Sequence, residues 1–132
     1  MARKRADDDV EALVADVFAR NCTSREILEV VASKWGVLAL LALREGSYRF
    51  NALRRRVEGI SEKMLAQTLQ QLERDGMLVR DVQATIPPHV EYSLTPVGAD
   101  VAARLNALVE VLEASVPEVS EAQAAYDARR AG

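Results

Sequence analysis

Asn51-Ala52-Leu53-Arg54-Arg55-Arg56-Val57-Glu58-Gly59-Ile60-Ser61-Glu62-Lys63-Met64-Leu65-Ala66-Gln67-Thr68-Leu69-Gln70-Gln71-Leu72-Glu73-Arg74-Asp75-Gly76 is the stretch that decides the fold. Phe50, just before it, stands with Leu53 and Val57 at i, i+3 and i+7, one apolar face of a short helix. Glu58-Gly59-Ile60 breaks that period and reads as a tight turn. Ser61 then sits where an N-cap belongs. Leu65, Leu69 and Leu72 recur at i, i+4 and i+7, so a second helix is expected from about residue 61 to residue 75, closed by Gly76. Two helices joined by a short turn containing glycine make a helix-turn-helix unit.

The flanks extend this reading. Met77-Leu78-Val79-Arg80-Asp81-Val82 has strand character, residues 83–88 form a loop with two prolines, and Val90-Glu91-Tyr92-Ser93-Leu94 alternates as a half-buried strand does. A hairpin directly after the second helix is a wing. Thr95-Pro96 is a strong helix start, and Val97, Val101, Leu105, Leu108, Val109 and Leu112 carry the helix on until shortly before Pro117. A last helix over 118–130 is expected to turn Val119, Ala122 and Tyr126 inward. Upstream, Thr23 or Ser24 caps a helix carrying Ile27, Leu28, Val30 and Val31. The pattern continues from Trp35 to Leu43, with a break expected near residues 33–36 and Gly46 as the C′ residue. Residues 1–8 are a charged tail, and Val10, Leu13, Val14, Val17 and Phe18 suggest an N-terminal amphipathic helix.

The expected fold is mostly α with a small β-hairpin wing: a winged helix-turn-helix with terminal dimerisation helices. The N-terminal tail and helix cover 1–21, the winged domain 22–95, and the C-terminal dimerisation helix and tail 96–132. A single small domain has no obvious surface to cover both terminal apolar stripes, whereas two-fold pairing covers each with its copy.

Composition removes several classes of function. Of 132 residues, 49% are hydrophobic, 28% charged and only 5% aromatic, so aliphatic side chains must build the core of a soluble globular chain. One cysteine and one histidine exclude an internal disulfide and a cysteine-based zinc site, and no metal or cofactor is expected. No nucleophile–base pair or phosphate-cradling glycine loop points to an enzyme. The N-terminal MARKRADDD lacks the apolar run of a secretion signal, and no stretch approaches the ~18 apolar residues of a membrane span. A cytoplasmic location, away from membranes, follows as the expectation.

The net charge of −3 points away from nucleic acid, but its distribution does not. Residues 44–80 hold 8 basic and 5 acidic side chains, a local +3, and the remainder carries −6. A polyanion responds to the local face. On the second helix, Lys63, Gln67, Gln70 and Arg74 share the stripe opposite the leucines, with Gln71 beside it. Gln can pair with adenine, and Arg or Lys with guanine, so these are the candidate base-reading residues. Arg54, Arg55 and Arg56, with Arg49 ahead of them, are candidates for the phosphate backbone. Cations at a helix C-terminus are favourable in any case, by roughly 0.3–1 kcal/mol each. Ser61 is a further backbone candidate, since a helix N-terminus also holds phosphate. Trp35 reads as core.

These motifs together resemble the HxlR-type family of bacterial regulators. The resemblance rests on Tyr48-Arg49-Phe50-Asn51-Ala52-Leu53, Gly59-Ile60-Ser61, Lys63-Met64-Leu65 and Asp75-Gly76-Met77. It rests above all on Pro87-Pro88-His89-Val90-Glu91-Tyr92-Ser93-Leu94-Thr95. Ser33-Lys34-Trp35 is similar to the family's G-K-W element. The resemblance implies a winged helix related to the MarR type. It implies a homodimer on a near-palindromic double-stranded DNA operator, acting as repressor or activator, with a small molecule or an oxidant as effector. The wing, about residues 83–89, is then expected on the backbone or minor groove. Ser33, Gly36, Thr68 and His89 depart from the family pattern; Thr68 and His89 stand where arginines are common, which implies fewer cations on the binding surface. His89 is nonetheless a candidate backbone contact. Cys22 occupies the family's N-terminal cysteine position and is the candidate redox sensor, against the plainer reading of a packed thiol. The competing function is a winged-helix module for protein–protein interaction, which the acidic remainder of the chain keeps open.

Overall fold

A computed structural model describes residues 16–132. The charged tail and the apolar positions Val10, Leu13 and Val14 lie outside the described residues. Val17 and Phe18 are described, and they correct the expected helix at its end: they lie in turns, exposed at 41% and 89%. The cause is local. The Asp16 carboxylate accepts the Phe18 N–H at 2.9 Å, and the Asp16 carbonyl accepts the Ala19 N–H at 3.1 Å, which offers the backbone an alternative to a helix.

The chain then runs α1 (Thr23–Val31), α2 (Lys34–Arg44), β1 (Tyr48–Arg49), α3 (Phe50–Arg56), α4 (Glu62–Arg74), β2 (Leu78–Gln83), β3 (His89–Leu94), α5 (Pro96–Ala114) and α6 (Val116–Ala131). α2 lies at the centre, packed against α1, α4, α5 and β3. Leu40, Leu53, Leu65, Leu69, Leu72 and Leu78 are fully buried, each stabilising by roughly 1.5–3 kcal/mol relative to exposure.

Caps and breaks explain most boundaries. α1 has Cys22 at its N-cap with no side-chain bond, whereas Thr23 and Ser24, the expected caps, lie inside its first turn. The Ser24 hydroxyl is engaged with Cys22 Sγ instead, at 2.8 Å. Between α1 and α2, Ser33 donates to the Val30 carbonyl at 2.7 Å and accepts the Gly36 N–H at 3.1 Å, closing one helix and opening the next. A Cβ at Gly36 would run into the Val30 carbonyl oxygen, so the two departures from the family's pattern here work together to allow a close helix junction. α4 ends in a Schellman motif. Gly76, at φ +74°, bonds to the Glu73 carbonyl and Met77 to that of Leu72, at 3.0 and 2.9 Å.

The sheet order is β1-β3-β2, antiparallel throughout. β2 and β3 pair from Leu78↔Leu94 to Gln83↔His89, and β1 adds Tyr48↔Tyr92 and Arg49↔Glu91. Period-2 geometry sends Tyr48, Leu78, Tyr92 and Leu94 to the core side. Thr95 joins the sheet to the last helices. Its hydroxyl donates to the Gly76 carbonyl and accepts the Gly98 N–H at 3.0 Å, and its own N–H bonds the Met77 carbonyl at 3.1 Å. α5 stops at Ala114, and Pro117 falls in the first turn of α6, where its missing N–H is harmless. The expectation for that final helix fails in one respect. Val119, Ala122 and Tyr126 do not turn inward but are exposed, Val119 at 46% and Tyr126 at 52%, and α6 buries no residue against the other described residues.

Candidate nucleic-acid interface

α4 is built to show one face. Ser61 caps it, its Oγ accepting the Met64 N–H at 3.0 Å. Leu65, Thr68, Leu69 and Leu72 are buried beneath it. Lys63, Gln67, Gln70, Gln71 and Arg74 are all exposed, on the side away from the leucines. Thr68 is corrected here. It is 5% exposed and donates to the Met64 carbonyl at 2.7 Å, so it belongs to the core side and removes no cation from the outer face. Arg74 sits at the far end, about 16 Å along the helix from Lys63 at 1.5 Å per residue. There it lines a recess with Thr23, Glu26 and Ile27 of α1. Base readers of helix-turn-helix proteins cluster near the helix N-terminus, which favours Lys63 and Gln67 over Arg74.

The structure divides the arginine run. Arg56 grips Glu45 through two hydrogen bonds of 2.7 Å, and the Tyr48 hydroxyl donates to the same carboxylate at 2.9 Å. These bonds, Arg56's foremost, hold the Glu45 carboxyl down to about 2. Arg54 pairs with Glu62 at 3.3 Å and reaches the Ile60 carbonyl at 3.5 Å, bridging the turn between α3 and α4. Arg49, Arg55, Lys63 and Arg74 have no ion-pair partner among the described residues. Two acids of the basic window, Glu45 and Glu62, are thus occupied in fixing the helix-turn-helix frame, while the unpaired cations remain outside. Arg49 ends β1, the strand no period revealed, and stands opposite Glu91.

The wing presents little charge. Its loop, residues 84–88, folds on itself: the Thr85 hydroxyl donates to the Pro87 carbonyl at 2.9 Å, and its oxygen lies 3.1 Å from His89 Nδ1. His89 Nε2 lies 3.7 Å from Glu91, and the side chain is 22% exposed, so the ring is turned back into the hairpin. Outside stands Ile86, fully exposed, a residue the sequence reading passed over because an isolated apolar residue in a loop carries no periodic signal. Cys22 is 1% exposed, and the Ser24 hydrogen bond is the main influence lowering its thiol's pKa below the ordinary value.

Residues 30–120 match the family model described as HxlR-like helix-turn-helix. The chain belongs to the HxlR-like family. As a member it is a transcriptional regulator of the helix-turn-helix type, a class that acts on DNA. This HxlR-like chain is 56% identical over 104 residues to the uncharacterized HTH-type transcriptional regulator YtfH of Escherichia coli (strain K12), covering 79% of this chain and 82% of that one. The solved structure of ytfH from Salmonella typhimurium superposes with a TM-score of 0.76 at 52% identity, over 82% of this chain and 96% of that chain. The redox regulator HypR in its oxidized form matches with a TM-score of 0.65 at 34% identity, over 70% of this chain and 96% of that chain. Among the described residues, no helix is long and apolar enough to cross a membrane.

Proposed function

We propose that this HxlR-like regulator binds a near-palindromic operator as a homodimer in the cytoplasm, with α4 in the major groove and the wing at the backbone or minor groove. One observation carries the reading. The α4 face opposite the core holds Lys63, Gln67, Gln70 and Gln71 exposed, while the nearby acids Glu45 and Glu62 are paired with Arg56 and Arg54. Gln67 and Gln70 supply bidentate amides, and Lys63 supplies a donor for guanine. Arg49 and Arg55 hold phosphates, with the α4 N-terminus at Ser61 adding its own N–H groups. Arg54 and Arg56 serve by fixing the frame, and His89 by fixing the wing loop.

The homodimer rests on α5 and α6. Leu108, Val111, Leu112, Val116, Val119 and Tyr126 are all more than 45% exposed. A helix of 16 residues with no buried face is marginal in water, and a second copy supplies the missing cover. In this arrangement residues 1–21 and 96–132 serve pairing and 22–95 serve DNA. Two-fold pairing sets the α4 helices about 34 Å apart, one turn of duplex.

The test is binding to the DNA upstream of the gene. Affinity is expected to fall steeply with salt. Gln67→Ala is expected to alter base preference at one position of each half-site. Absence of binding at low salt, or binding indifferent to changes on the α4 face, would favour a protein-interaction module instead.

The regulating signal is proposed to enter at Cys22, whose thiol is acidified by Ser24. With hydrogen peroxide as oxidant, the thiolate attacks one peroxide oxygen, the S–O bond forms as the O–O bond breaks, and the products are a sulfenic acid and hydroxide, which solvent protonates to water. The turns ahead of Cys22 must open for this, since the thiol is 1% exposed. DNA release by hydrogen peroxide that survives Cys22→Ser would remove the assignment and leave a small-molecule effector.

A further inference from the structure

We infer that Ile86 is an apolar wedge of the wing, inserted between base pairs in the minor groove. The inference rests on the DNA-binding reading above and specifies how the wing takes part. Ile86 is 101% exposed, the most exposed large apolar side chain among the described residues. It stands at the tip of Ala84-Thr85-Ile86-Pro87-Pro88, a loop with no charged residue. The polar groups that might have faced a phosphate are consumed within the hairpin. Thr85 serves Pro87 and His89, and His89 leans on Thr85 and Glu91. What the tip offers outward is therefore a β-branched side chain beside two prolines. The prolines restrict φ, so little freedom is lost when the tip is held against a partner.

The side chains of this tip offer a phosphate neither charge nor a spare donor. The tip can enter a step between base pairs, as isoleucine, leucine and proline do in proteins that kink DNA through the minor groove. The cost is least at pyrimidine–purine steps, which unstack readily. The operator should therefore prefer a TA or CA/TG step under each wing, with no hydrogen bond reading it. Charge supports a nucleic acid as occupant. At the base of the same hairpin, Arg80 stands opposite Tyr92, and Arg49 stands opposite Glu91, which also faces Asp81; both arginines lack ion-pair partners among the described residues and are available to phosphates farther along the groove than the step itself.

The experiment compares the full chain with Ile86→Ser, Ile86→Leu and Gln67→Ala on an operator duplex. The duplex carries 2-aminopurine at the step under the wing, and binding is measured across a range of salt. Ile86→Ser is expected to bind about tenfold or more weakly, the effect of exposing a side chain of this size, with the salt slope unchanged. The 2-aminopurine brightening seen with the unmodified protein should vanish with Ile86→Ser and return with Ile86→Leu. The wedge is overturned if Ile86→Ser binds like the unmodified protein while Gln67→Ala is impaired. It is equally overturned if the protein binds without any 2-aminopurine response. If neither the unmodified protein nor any variant binds, the DNA-binding reading falls and the wedge with it. Because Ile86 touches no core residue, all variants should share one melting temperature, which separates loss of contact from loss of fold.

Discussion

α4 and α6 are helices of similar length, 13 and 16 residues, and they hide opposite amounts of themselves. α4 buries Leu65, Thr68, Leu69 and Leu72 under its own chain and shows a polar face. α6 buries nothing and shows Val116, Val119 and Tyr126. The first is completed by the monomer, so what it displays is free to meet a ligand. The second finds no cover among the described residues, and the proposed homodimer would supply that cover from a second copy.

The sharpest way to break that contrast is to truncate one side chain on each. Leu65→Ala is expected to lower stability by about 2–5 kcal/mol in urea unfolding, as large-to-small changes in a packed core do. Val119→Ala should leave the unfolding of dilute monomer unchanged. Equal losses would mean α6 is anchored within the chain after all.

A second comparison tests pairing. Val119→Asp combined with Tyr126→Asp should give a monomer in sedimentation. The affinity for a two-half-site operator should then drop at least about 100-fold, because linking two binding events commonly raises affinity 10²–10⁴-fold. Affinity for an isolated half-site should stay as it was. A stable dimer in the double variant would move the interface elsewhere.

Within the arginine run the effects are smaller and should separate cleanly. Arg55→Ala should weaken every DNA sequence alike and reduce the salt slope by about 1, the mark of one lost phosphate contact. Arg56→Ala should instead lower the melting temperature, with the salt slope little changed. The smallest effect is in acid. The Glu45 carboxyl is held at about 2, below its ordinary 4.5, so its contribution to stability is present above about 4.5 and drains away as pH falls toward 2. Melting temperatures of Glu45→Gln, followed over that window, should therefore fall less with acid than those of the unmodified protein.

Much of this was legible because it is periodic. The leucines of α4, the alternation in β3 and the Thr95-Pro96 start each repeat a rule over enough residues to be read. β1 was not legible, since two residues have no period; its existence depends on β3 being beside it. Arg54 and Arg56 looked equivalent to Arg55 because their partners are distant in sequence: Glu45 lies 11 residues before Arg56, and Glu62 lies 8 beyond Arg54. The burial of Thr68 is not legible from a resemblance that marks it only as standing where an arginine is common: its hydroxyl is satisfied on the Met64 carbonyl one turn back, which lets a polar residue sit on the core side. The direction of Val119 and Tyr126 could not be read from spacing, which says that a face is apolar but not whose surface will cover it.

Thr95 closes the geometry in another sense. Its hydroxyl touches the carbonyl just past the end of α4 and the amide in the first turn of α5, so a single side chain stands between the proposed reading helix and the proposed pairing helix. In a dimer these parts act like a pair of calipers. On the proposed reading the arms would meet at the twofold axis and the heads rest on the duplex, with the gap set by this joint together with the packing of α5 on α2. A small rotation here, amplified along α5, would change which half-site spacing fits without altering a single residue that faces DNA.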